Sequence, residues 1–142
     1  MICSQSKIML VAMGLVGLMT ARQARAHHSF AAEYDGSKPI TLTGTITKML
    51  WSNPHAWVYA DVKDGDGKVV HWAFETGQAN ALYRRGWKKT DLPVGVVVTI
   101  EGFLAKDGSP TVNATNIILP DGRKLFAGSS GTGSPGAPAE SK

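Results

Sequence analysis

Four histidines, His27, His28, His55 and His71, are the side chains whose type and placement could support chemistry in this chain. If processing cuts after Ala26, His27 becomes the first residue. Its free amine and imidazole then sit on one residue and form a chelate for a transition metal. The only cysteine, Cys3, lies in the leader, so any such site would be built from nitrogen, which suits Cu(II) best and Zn(II) next. Taken singly, each histidine reads as a surface or hydrogen-bonding residue, and metal binding rests on their combination. A second group is Trp57, Tyr59, His71 and Glu75, which share the outward parity of two neighbouring strands and could form a ligand-binding surface. The competing expectation is that the N-terminal arm or the C-terminal tail covers Trp57 and Tyr59.

The segments around these residues set the compartment. Lys7, the apolar run from Ile8 to Ala21 and the Ala24-Arg25-Ala26 site predict a cleavable signal peptide over 1–26. The apolar run is short for a membrane span, although an uncleaved anchor is the alternative. Removing 26 of 142 residues leaves 116 and takes Lys7, Arg22 and Arg25 away. Twelve basic residues then face 11 acidic ones, and net charge falls from +4 to +1. Near-neutral charge after export gives no electrostatic case for a nucleic-acid partner. The expected location is periplasmic or secreted, without disulfides and without a membrane anchor after cleavage.

Residues 27–37 read as an N-terminal arm, 38–127 as one small domain, and 128–142, rich in Gly, Ser, Pro and Ala, as a disordered tail. Within the domain, Ile40, Leu42, Ile46 and Leu50 alternate with threonines, which predicts a half-buried strand, with Gly44 marking a bend or bulge. Val58, Ala60 and Val62 face inward on a second strand, and Val70, Trp72 and Phe74 on a third after the Asp64-Gly65-Asp66-Gly67 turn. The period then changes. Gln78 to Arg85 predicts a short helix ending at Gly86, with Trp87 folding back onto Leu82 in a Schellman ending. Strands over Val94 to Leu104 and Thr111 to Leu119 follow. Three strands, a helix and two strands predict a mainly β chain, a small five-stranded OB-fold-like Greek-key barrel with its helix between strands three and four.

Other patterns fail. Asp64-x-Asp66 with Glu75 mimics the ends of a calcium loop, but Lys68 and Val69 occupy positions that need an oxygen ligand and glycine. No nucleophile, base and acid set stands out, so no catalytic residue is assigned and an enzyme is the least supported class. Arg84, Arg85, Lys88 and Lys89 suit the end of the helix dipole.

His27-His28-Ser29-Phe30, Trp51-Ser52-Asn53-Pro54-His55-Ala56-Trp57, Trp72-Ala73-Phe74-Glu75 and Arg84-Arg85-Gly86-Trp87 resemble the pattern of a bacterial exported family known as domain-of-unknown-function family 6152. The resemblance spans His27 to about Ser129 and implies a small secreted or periplasmic protein. It brings no activity and no catalytic residue. The expectation is therefore a binding module for an unidentified small molecule or periplasmic protein, with a copper-handling protein using His27 as the alternative.

Overall fold

The structure, a computed structural model, describes residues 30–128. A four-residue helix α1 (Phe30–Glu33) leads directly into strand β1 (Tyr34–Leu50). It is followed by β2 (Trp57–Lys63), β3 (Val69–Glu75), helix α2 (Ala79–Arg84), β4 (Val97–Ala105), β5 (Thr111–Ile118) and β6 (Lys124–Phe126). The strands hydrogen-bond in the order β3-β2-β1-β4-β5-β6, and a parallel pairing of β3 with β5 joins the sheet back on itself. Five strands thus make a closed ring, and β6 is a hairpin extension of β5 that sequence reasoning did not anticipate. Gly122, at a φ of +84°, turns the chain between the two strands, and Leu125 pairs with Ile117.

The long β1 serves two partners. Its first half pairs with β4, where Gly44 lies opposite Val98, and its second half pairs with β2. Gly44 does not bulge. A side chain there would meet Val62 Cγ2 at 2.8 Å and the Asp61 carbonyl oxygen at 2.9 Å, so glycine admits a close approach of β2. The bulge falls at Thr47, between the pairs Ile46–Ala60 and Lys48–Tyr59. One extra residue reverses the facing of everything after it. Met49, not Leu50, therefore packs against the core, and Leu50 is 41% exposed.

The core inside the ring comprises Ile46, Val58, Ala60, Val62, Phe74, Val98, Ile100, Val112, Ala114 and Ile117. Helix α2 adds Leu82. It ends as expected: the Trp87 N–H donates to the Leu82 carbonyl (3.1 Å), the Gly86 N–H to that of Tyr83 (3.0 Å), and Gly86 has a φ of +93°. Trp87 is buried, and its Nε1–H donates to the Phe126 carbonyl, tying the helix ending to β6.

Candidate functional site

Helix α1 and the start of β1 cover the outer face of β4, β5 and β3. Across that face Phe103 pairs with Asn113, and Asn113 with Glu75. Phe30 packs edge-on against Phe103 (centroids 5.5 Å apart) and stacks on Tyr34 (5.9 Å), a contact that the i,i+4 spacing on one helical turn provides. Both rings are buried. The Tyr34 hydroxyl donates to Glu75 Oε2. Glu75 was expected on an exposed surface; it has the outward parity, but this cover leaves it only 7% exposed.

The buried carboxylate holds a second partner. His55 Nδ1 lies 3.0 Å from Glu75 Oε1 and 3.2 Å from the Thr76 carbonyl oxygen. A carbonyl only accepts, so Nδ1 carries the proton and donates to both oxygens. The other ring nitrogen, Nε2, has no partner among the described residues. Two further contacts seat the loop that carries the ring: Ser52 Oγ donates to the His55 carbonyl, and Ala56 pairs with Gly77 and Thr76. Burial first, and then the Glu75 carboxylate, push the Tyr34 phenol well above its ordinary range, so it stays a donor.

Trp57 lies opposite Glu75 and is partly buried. It lines a cavity of about 540 Å³ together with Tyr34, Glu33, Asp107 and Thr111. Tyr59 and His71 line a different one, a groove of about 530 Å³ that also includes Lys48, Trp72 and Pro110. Trp57 and Tyr59 thus line two neighbouring cavities that share Thr111, the first bordered also by the N-terminal segment. Lys48 Nζ sits 5.6 Å from the centre of the Tyr59 ring. Trp72 is only half inside: it stacks on Phe74 and shows its other side to the groove.

His71 lies directly opposite Asp61, and their Nδ1 and Oδ1 are 2.5 Å apart. Its side chain is 86% exposed, so this pair adds little stability. His55 and His71 are not brought together. His55 is held at Glu75, and His71 is four residues away along β3, roughly 13 Å at strand spacing. His27 and His28 lie outside the described residues. Among the described residues no three His, Cys, Asp or Glu side chains gather closely enough to hold a metal. Tyr34 was missed because it lies in a segment read as an arm, yet the Phe30-x-x-x-Tyr34 spacing was a visible signal for one turn of helix.

No curated protein and no solved structure is detectably similar to the chain. The model of one family matches residues 16–114, which takes in the Tyr34, His55 and Glu75 cluster and both cavities up to Thr111, and so the chain belongs to the family of unknown function DUF6152.

Proposed function

We propose that this chain is an exported binding module, with a periplasmic or secreted location, built on an OB-fold-like barrel. The ring order β1-β2-β3-β5-β4, the parallel β3–β5 closure and a helix between β3 and β4 support the barrel reading. The observation that carries the binding reading is the groove on β2 and β3, where the Tyr59 and Trp72 rings stand beside Lys48 and His71. Aromatic faces next to the Lys48 ammonium suit a small planar anion. Titration with aromatic carboxylates, read by tryptophan fluorescence and amide chemical shifts, tests this. Saturable shifts at Trp72 and Lys48 that vanish in Tyr59→Ala are the expected result. Shifts scattered over the surface, or none, end the assignment of this groove.

A second reading, copper handling through the amine and imidazole of His27, draws support from His55. Its protonated Nδ1 on Glu75 leaves Nε2 as the nitrogen able to ligate. Metal analysis of exported protein, and Cu(II) titration of it, test this reading. Stoichiometric copper bound more tightly than by a version with one residue added before His27 is the expected result.

A further inference from the structure

We infer that the cavity at Trp57 is a second subsite that takes an organic cation, an ammonium or guanidinium group, so that the ligand of the neighbouring groove carries a positive charge at one end and a carboxylate at the other. The inference rests on the groove reading above and narrows the chemical class of its ligand.

Three observations carry it. The first is the register of the outer face. Lys48 lies opposite Tyr59, Tyr59 opposite Ala73, and Ala73 opposite Thr111, so one row of residues crosses β1, β2, β3 and β5. All four line the groove. The row is three strand steps long, roughly 14 Å, and the small Ala73 keeps the floor low between the Tyr59 ring and Thr111. Lys48 Nζ leans over that ring, 5.6 Å from its centre, and sets the anion end. Thr111, at the other end, also lines the cavity at Trp57. A ligand lying across the strands with its carboxylate at Lys48 therefore directs its far end into that cavity.

The second is the chemistry of the cavity wall. Trp57, partly buried, offers its indole to a volume of about 540 Å³. Glu33 on α1 and Asp107 in the turn after β4 bring carboxylates to the same lining. The Ser109 N–H donates to Asp107 Oδ1 at 2.9 Å and holds its carboxyl below the usual range, so Asp107 is an anion at neutral pH. Glu75, directly opposite Trp57 and joined to the Tyr34 hydroxyl, places a third carboxylate behind the wall. The one cation among the described lining residues, Lys106, has its ammonium on the Ala31 carbonyl at 2.5 Å. Beside an indole and carboxylates, an ammonium or guanidinium group gains from the ring face and from the charge together.

The third is the contrast between the two ends. The groove has Lys48 in its lining and no carboxylate, whereas the cavity has Glu33 and Asp107. His71, which also borders the groove, is held on Asp61 and leaves the anion to Lys48. Opposite charges at the two ends of one surface complement a dipolar molecule. A purely anionic ligand long enough to pass Thr111 would meet repulsion from Asp107.

The test uses exported protein and three probes: para-aminomethylbenzoate, which has a carboxylate and an ammonium at opposite ends of one ring, and its two halves, benzoate and benzylamine. Amide chemical shifts and tryptophan fluorescence give the affinities and locate the binding. The expected result is that para-aminomethylbenzoate binds about 10-fold more tightly than benzoate, with shifts at both Lys48 and Asp107. In the double variant Glu33→Gln, Asp107→Asn the amide oxygens still accept hydrogen bonds but the charges are gone, and that ratio should fall to near one. Asp121→Asn, which removes a carboxylate in the turn between β5 and β6, is the control for net charge and should keep the native ratio. Thermal melting verifies folding, and the single variant Asp107→Asn decides should the double variant unfold. Equal binding of benzoate and para-aminomethylbenzoate, or the same preference in the charge-removed variant, would overturn the cation subsite and leave the groove as an anion site. Groove shifts with none of the three probes would overturn the groove reading and this inference with it.

Discussion

Tyr34→Phe isolates the hydrogen bond that the N-terminal cover makes to the interior of this face. The substitution removes one oxygen and keeps the ring that stacks on Phe30 at 5.9 Å. Glu75, 7% exposed, then loses the donor on Oε2 and retains His55 on Oε1. A hydrogen bond to a charged group contributes about 1.5–3 kcal/mol, and a buried acceptor left unpaired sets the cost at the upper part of that range. Urea denaturation at pH 7 should therefore show Tyr34→Phe less stable by about 2–3 kcal/mol with an unchanged denaturant slope. The pH dependence supplies an independent check. The folded phenol is raised above the ordinary 10.0, by burial first and Glu75 second. Above pH 10 the unfolded chain loses this proton and the folded chain keeps it, so stability falls as pH rises. The contribution is fully present below pH 10. By pH 11 the gap between native protein and Tyr34→Phe should shrink by about 1.4 kcal/mol, one pH unit past the unfolded value. A gap under about 0.5 kcal/mol at pH 7, or one that stays constant to pH 11, would refute the argument that this bond holds the cover in place.

Leu82→Ala should cost roughly 2–4 kcal/mol in the same assay, because the side chain is fully buried beside Trp87 and its removal leaves a cavity. Gly102→Ala should cost more than about 2 kcal/mol, since its Cβ would lie 2.2 Å from the Asn113 carbonyl oxygen on a neighbouring strand, whereas Gly65→Ala, with nothing within 4 Å, should be close to neutral. Equal effects at the two glycines would show that β4 and β5 are not packed as closely as described. Intact mass of exported protein should correspond to a chain starting at His27, and a start two or more residues away removes the amine chelate.

Local patterns were legible where the chemistry is local. Alternation placed Val58, Ala60 and Val62 inward and Trp57, Tyr59 and Asp61 on the other side, because successive residues of a strand point to opposite faces. Gly86 and Trp87 announced the helix ending, since only a left-handed residue there completes the two bonds to Leu82 and Tyr83. The histidine at 55 could be named as a candidate, but nothing in its neighbours showed which nitrogen would be occupied. That depends on Glu75 and Thr76, twenty and twenty-one residues away.

Tertiary structure decided the rest, for reasons that periodicity cannot carry. The bulge at Thr47 exchanges Met49 for Leu50 in the core, and its position is set by which β2 residues β1 must meet after Gly44 has let the strands approach. A carboxylate on an outward parity reads as exposed until another segment is seen to lie over it. Glu75 became a buried acceptor because Phe30 and Tyr34, about forty residues earlier, bring an apolar cover and one hydroxyl to it. Strand pairing of β3 with β5 likewise joins residues far apart in the chain and sets Thr111 in the lining of both the cavity at Trp57 and the groove at Tyr59. Sequence by itself determined which side chains could face which way; the long-range pairings determined which of those faces remained open to solvent.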